Sequence, residues 1–546
     1  MKTLTLFLLL LVPSLVFGQH HGAAPARSKP VALVSGLGNI NHAVTTKNAL
    51  AQKFFNQGLA YIYAFNHDEA VKAFKRAAEL DPDLAMAYWG VSLARGSNYN
   101  VSADKNQLKE AWDNLQKALA AAPKATAAEQ AYIKTLAKRY SADENADRQK
   151  LAEDYRAAMG ELVKKYPNDM DAATLYAESM MNLRPWQLWS LDGKPAEATL
   201  EIVAVLEKVL KRNPNHIGAN HYYIHAVEAS PDPDRALPSA MRIAKLAPNA
   251  GHLVHMPSHI FIRTGMYNDA ARSNADAIVV DKNYIRLNGA ENLYSMMYYN
   301  HNIHFLASAS AMLGRYSDAM KAARDLEKNV TPLLKEMSML QMFVMYPLIV
   351  QIRFEKWDEI MKYPEPPTEY KVNRAFWHMA RGLAKARTGK PEEAAKEWAQ
   401  MTQEADLIPR DIPFGNNETV SVMEIGTLLL SGELTLARGD KERAIGILRE
   451  AVNFEDVIKY NEPPDWDLPV REFLGRALLK TGDYAEAEKV YREELVKHRH
   501  NARALFGLAE ALTKQKKFAE ARKVRLDFAK RWAGADTKLI AADLYK

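Results

Sequence analysis
Cysteine is absent from the 546 residues. That excludes disulfides, thiolate metal sites, cysteine nucleophiles, covalent haem attachment through CxxCH and lipid attachment to an N-terminal cysteine. Any metal chemistry must use nitrogen, oxygen or thioether ligands. A dominant charge sign is missing too: 72 basic and 66 acidic residues leave +6, with no long single-sign run. Neither a phosphate backbone nor an acidic membrane finds a matching surface, and nucleic acid is not an expected partner. No glycine-rich phosphate loop, GxSxG, HExxH or paired-carboxylate context singles out a hydrolase or a zincin protease.

A long apolar run occurs at the N-terminus, MKTLTLFLLLLVPSLVFGQ. Lys2, an apolar stretch of signal-peptide length and the small Gly18 read as a secretory signal over residues 1–18. The run is short and broken by Pro13 and Ser14, which weighs against a membrane anchor. With no second apolar span expected, the mature chain should be soluble in a periplasm or outside the cell, without membrane insertion. Residues 19–46 are rich in small residues and proline and are expected to form a flexible leader. His20 and His21 in it are an incidental pair, able at most to bind metal weakly. An apolar fraction of 48% and a charged fraction of 25% fit an ordinary folded protein. The length exceeds what one compact core accommodates, so several domains or an elongated array are expected.

An internal period supports the array. YIYAFNHDEAVKAF, FIRTGMYNDAARSN, AMLGRYSDAMKAA, KARTGKPEEAAKEW, LARGDKERAIGIL, LLKTGDYAEAEKVY and LTKQKKFAEARKVR each join a helix end, a short turn that often holds glycine, and a second helix. An alanine recurs at one place in the second helix: Ala70, Ala270, Ala319, Ala394, Ala444, Ala487 and Ala521. Small residues there allow close helix packing. Pro82, Pro214 and Pro248 mark ends of second helices. From about Ala51 to Ala535 the pattern resembles the tetratricopeptide repeat. The resemblance implies an all-α, right-handed superhelical solenoid of antiparallel helix pairs whose first helices line a concave groove. Residues 47–334 form an N-terminal block and 335–540 a C-terminal block, and the sequence leaves open whether one solenoid runs through both. The distortions Asn98 to Lys105, PWQLWSLDGKP, MKYPEPPTEY, Asp411 to Asn417 and NEPPDWDLP read as loops between helices.

Between Asn220 and His304 lie seven of the fifteen histidines, where even spreading gives about two. They fall in phase with the repeat. A shift of 34 residues takes His221 onto His255 and His225 onto His259. A shift of 49, with an insertion after Asp281, takes His252 onto His301 and His255 onto His304. Spacings of three, four and seven put them on one face of each first helix. In the resembled family those places face the groove, where ligands are held, and Glu228 could add a carboxylate. Neutral imidazole suits Cu, Zn or Fe, so a transition-metal site is expected from His221, His225, His252, His255, His259, His301, His304 and Glu228. The first four ligands would be His221, His225, His255 and His259. Seven imidazoles exceed one ion's needs, so either two ions are held or some histidines support the ligands. Pro257 either kinks its helix or starts it; in the second case His252 and His255 lie in the preceding turn. His67 falls in a turn and is expected to be exposed. Glu178 and Arg184, with Trp186 and Trp189, are weaker candidates for flanking the groove.

Groove-facing histidines also suit peptide or anion binding. The function expected is an exported binding scaffold, its groove holding a transition metal or a polar ligand. The alternatives are a metal-dependent enzyme and a pure peptide or protein scaffold without metal. The chain also resembles exported bacterial repeat proteins bearing variants of HYYIHA and GHLVHMPSHI. Protein recovered from its native compartment should begin near residue 19. N-terminal sequencing that finds intact Met1 on cytoplasmic protein would overturn the expected export.

Overall fold
The computed structural model describes residues 31–289 and 292–545, so the signal, His20 and His21 lie outside the described residues. From Leu33 onward the chain is one compact unit. It is a superhelical repeat of helical hairpins, and strand pairing among the described residues is confined to the two-residue ladder of Pro413–Phe414 with Asn417–Glu418 and an isolated bridge between Trp189 and Pro195. First and second helices alternate, as in Ala49–Tyr63 with His67–Leu80, Val470–Thr481 with Tyr484–Lys497, and Ala502–Lys514 with Phe518–Arg531. The helices His67–Leu80, Thr199–Arg212 and Leu237–Leu246 each stop two residues before Pro82, Pro214 or Pro248.

The hairpin interiors follow from side-chain size. All seven recurring alanines are buried. A Cβ on Gly58 or on Gly90 would meet the Phe74 ring at 2.6 or 2.5 Å, and one on Gly475 or Gly507 would meet Tyr491 at 2.5 or 2.2 Å. In these two hairpins an aromatic of the second helix is thus clamped between glycines of its own and the following first helix. The same turn recurs between the paired helices, with a left-handed residue at Gly265, Gly314, Gly389, Gly439 and Gly482, where glycine carries no Cβ penalty.

Residues 33–46, assigned by sequence to the leader, pack on the repeats. Val34 N donates to Gln57 Oε1 (2.7 Å), Asn249 N donates to the Gly36 carbonyl (2.9 Å), and His42 Nδ1 meets Asp171 Oδ2 at 2.8 Å. The helix Thr419–Ala437 is long and apolar enough to cross a membrane by length and composition, contrary to the expectation of a single apolar span. Its composition has a packing cause: the helix is flanked by Lys371–Arg387 and Lys441–Val457, and its buried Glu433 is paired with Arg476.

Gly58→Leu and Gly475→Leu should each destabilise by about 3 kcal/mol or more through overpacking. Gly446→Ala, in a helix interior with nothing within 4 Å of the added Cβ, should be neutral or stabilise by about 1 kcal/mol. Thermal melting of the three variants checks the repeat register, and leucine tolerated at both clamp positions would show that it is wrong.

Candidate metal centre
Three successive first helices bring the histidines together. Ile217–Val227 carries His221 and His225, the short helix Gly251–His255 carries His252 and His255, Pro257–Arg263 carries His259, and Tyr299–Met312 carries His301 and His304. Pro257 opens its helix, and Met256 keeps helical dihedrals across the junction (φ −49°, ψ −34°). His255 and His259 therefore stay close although they belong to two helical pieces. The 49-residue shift has a visible cause: Tyr267–Asn288 runs 22 residues, and a π-helical turn Tyr294–Tyr298 precedes the next first helix. Asp281 ties this insertion down, accepting from Tyr294 Oη (2.9 Å) and Asn302 Nδ2 (2.7 Å). Burial pushes its carboxyl up to about 7.

Six of the seven histidines form two triads, His221/His225/His252 and His255/His259/His301, each offering three nitrogens that all lie within 4.8 Å of one another. The expected first set of His221, His225, His255 and His259 is thereby divided between them. The cause is that His252 reaches His221 across helices (Nε2 to Nε2 3.1 Å), whereas His255 turns to His259 (2.9 Å). His304 stands apart, its ring against Phe343 and Tyr346 at centroid distances of 5.2 and 4.5 Å. Glu228 does not complete a triad. It lies behind both: Oε1 is 3.0 Å from His225 Nδ1 and Oε2 is 2.7 Å from His259 Nδ1. The sequence reading missed Glu462, whose Oε2 is 3.2 Å from His259 Nδ1 and which groups with Glu228 and His259. It comes from NEPPDWDLP, where proline and acid among repeats marked only an interruption.

Outer contacts fix which nitrogen carries hydrogen in His221, His225 and His255. His221 Nδ1 lies 2.7 Å from the Tyr63 carbonyl, so it must donate there. His255 Nδ1 lies 2.7 Å from Asn274 Oδ1, and the Asn274 amide is oriented by its own donation to the Ala270 carbonyl (2.8 Å). His225 Nδ1 bonds Glu228 Oε1, and His259 Nδ1 lies 2.7 Å from Glu228 Oε2. Neutral His221, His225 and His255 then present Nε2 lone pairs to the interior, and His259 does so only once it has given up its second proton. His255 Nε2 and His259 Nε2 become two acceptors facing each other at 2.9 Å, an arrangement that requires a cation between them, either a proton or a metal. His225 Nε2 is buried without a hydrogen-bond partner. Two nitrogens bonded to one tetrahedral ion at the usual length sit roughly 3.3 Å apart, close to the separations found.

Electrostatics sets His259 apart from the other rings. Burial first, and neighbouring imidazoles next, hold His221, His252, His255 and His301 well below the ordinary histidine range. Burial also lowers His225 despite Glu228. His259 is the exception: burial works to lower it, but Glu228 and Glu462 more than reverse that. Burial raises the Glu462 carboxyl, whereas Glu228, held between two imidazoles, is lowered and stays ionised.

The histidine-lined groove is largely covered, with His221 and His255 at 0% exposure, while His301 of the second triad is only half-buried. Phe65 lies 4.5 Å from the His221 ring, Tyr99 5.2 Å and Trp186 5.8 Å from His225, Tyr298 4.8 Å from His252, and Phe305 5.0 Å from both His255 and His259. Phe65 occupies the hairpin turn in which most repeats place glycine, and it adopts φ +53°. A non-glycine residue there costs roughly 1–2 kcal/mol, and its ring reaches the histidines. Trp189 Nε1 donates to the Ala226 carbonyl (2.8 Å), which pins PWQLWSLDGKP over the site. Arg184, by contrast, is exposed and paired with Glu197, and Glu178 holds Asn182. His67, expected to be exposed, is half-buried with Nδ1 3.2 Å from the Ala94 carbonyl, because its ring packs on Phe65. A cleft of about 620 Å³ opens beyond the cover, lined by Arg263, Tyr460 and Glu462 but by no histidine of either triad.

Tetratricopeptide-repeat family profiles match residues 51–84 and 474–535. No curated protein sequence matches the chain. Among solved structures, the chain is similar to the Cut9–Hcn1 hetero-tetramer of the APC/C (12% identity, 91% of this chain and 75% of that one, TM-score 0.30). It is also similar to the human IFIT1 dimer with m7Gppp-AAAA (11%, 90% and 92%, 0.34). A third is yeast Tom70 (12%, 87% and 92%, 0.28).

Burial pushes the His304 imidazole from 6.5 down to about 3. The unfolded chain binds that proton below about pH 6.5 while the folded chain refuses it. Its share of stability is therefore complete above pH 6.5 and is lost as pH falls toward 3, about 2 kcal/mol of it by pH 5. In urea unfolding between pH 6 and 4, His304→Gln should lower the dependence of stability on pH by about one proton. An unchanged slope would mean that His304 takes its proton in the folded state.

Proposed function
We propose that this tetratricopeptide-repeat protein is an exported scaffold whose N-terminal repeats hold two transition-metal ions, one in each histidine triad. The repeats make the chain an interaction scaffold in the broad sense, and the N-terminal apolar stretch supports export. The metal reading rests on one observation above all: Nε2 lone pairs converge in the interior because outer partners hold every Nδ1 hydrogen that they contact. Carboxylate behind imidazole is the arrangement that orients metal-binding histidines and raises their donor strength. Here Glu228 would serve both triads at once. Nitrogen-only donor sets suit Cu, Zn or Fe and leave no role for thiolate. The burial of the triads favours ions that are retained over ions that exchange with a substrate, since a catalytic site keeps one position open.

Elemental analysis of protein isolated from its native compartment should find about two ions per chain. His225→Ala and His259→Ala should each lose one of them, and His500→Ala, with its half-exposed ring, should keep both. Glu228→Gln should retain the fold and bind at both triads about 10–100-fold more weakly. Metal added to the stripped protein should raise its melting temperature. The same metal content in all variants, or none in any protein refilled with Cu, Zn or Fe, would remove the metal reading and leave a peptide or protein scaffold.

A further inference from the structure
Far from the histidines, the C-terminal repeats enclose a cavity of about 420 Å³. Four guanidinium groups line it, those of Arg353, Arg387, Arg476 and Arg503. Its roof is the last stretch of chain, including Leu539, Ile540 and Leu544. The Asp536 carboxylate anchors that stretch by accepting from the backbone N–H groups of Tyr316 (2.6 Å) and Ser317 (2.8 Å).

The positive charge there is under-compensated. Arg353 has Glu472 at 3.0 Å. Arg387 has Glu355 at 2.9 Å and shares Glu433, at 4.0 Å, with Arg476. Arg503 has no carboxylate within 4.0 Å among the described residues. Its guanidinium lies over Phe354 and Trp532, at 5.3 and 5.9 Å from the ring centroids. The Nε atoms of Arg353, Arg387 and Arg503 are all buried without a hydrogen-bond partner. A buried cation without a counter-ion is costly, and a buried N–H without an acceptor adds to that cost. Burial and the neighbouring Arg353 hold Arg503 down at about 10, and burial and Arg476 lower Arg387, the direction expected when cations crowd one another.

We propose that this cavity is a binding site for a phosphate group, free or esterified. Four guanidinium groups around one cavity, Arg503 among them without a carboxylate partner, call for an anion that accepts in several directions. A phosphate presents three or four oxygens where a carboxylate presents two, and arginine's planar fork matches it. The leucine and isoleucine side chains of the roof suit an apolar substituent on the ester. The cavity contains none of the histidines, so the proposal does not depend on metal binding.

The test is titration calorimetry and thermal melting of the whole mature chain at constant ionic strength, with and without chelator, using inorganic phosphate, phenyl phosphate and benzoate. Phosphate or phenyl phosphate should bind and raise the melting temperature, and benzoate should do so at least about tenfold more weakly. Tighter phenyl phosphate identifies an esterified occupant and equal affinity a free one; either supports the site. Arg503→Met should lose binding by roughly tenfold or more while melting no lower than the wild type without ligand. Arg503→Lys, which keeps the charge, guards against misfolding and should retain part of the affinity. No response to either phosphate, benzoate binding as tightly, or an unaltered response in Arg503→Met would overturn the proposal.

Discussion
Glu228 is the group on which the N-terminal half of the structure turns. One ionised carboxylate, at 1% exposure, reaches His225 on its own helix and His259 on the following hairpin. It thereby fixes the facing direction of a ring in each triad. A buried carboxylate is stable only when paired; the two imidazoles are its partners, while Arg263 Nε donates to the Glu228 main-chain carbonyl (3.0 Å) and lies over Tyr460 (5.6 Å). Tyr460 in turn donates to Glu462, the second carboxylate at His259. A chain of contacts therefore runs from Glu462 to the end of the helix Ile217–Val227, and the two halves of the solenoid meet at the candidate site.

That meeting explains why the fold was legible in the sequence and the site only half so. The repeat signature consists of packing residues, and Ala270 or Gly475 serves the same purpose in every hairpin, so spacing and size alone recover the architecture. The in-phase histidines were legible for the same reason, since the repeat carries His221 onto His255 and His225 onto His259 by translation. Phase gives the face of a helix but not the direction in which a ring turns. His252 and His301 could be placed near the site, yet their assignment to different triads depended on the kink at Pro257 and the lengthened helix Tyr267–Asn288. His304 shares the phase and still points away, into Phe343 and Tyr346.

Glu462 and Phe65 were not legible, and the loop carrying Trp186 and Trp189 only weakly so, because they depart from the repeat. Each is where a local rule is broken: an acid in a proline-rich interruption, a phenylalanine where the turn favours glycine, tryptophans in a distorted hairpin. All three departures converge on the histidine cluster. Residues that violate a repeat at a cost in stability are expected to cluster where another function compensates that cost. The strained Phe65 turn illustrates this, because its left-handed backbone is what carries the ring over His221, His225 and His252.

The same departures decide between the ways a metal could serve this chain. A groove open on its concave side would leave the triads accessible to substrate and to exchange. Phe65, Tyr99, Trp186, Tyr298, Phe305 and the Glu462 segment instead fill the space that bare repeats would leave open. The large cleft nearby ends on Glu462, on the Nδ1 side of His259, whereas the Nε2 lone pairs point inward. A substrate lodged in that cleft would meet the carboxylate and the back of a ligand, not the metal. An ion held at the triads would therefore tie hairpins together, with Glu228 and Glu462 balancing its charge. Removing it would leave like-facing lone pairs whose only other remedy is a proton on His259.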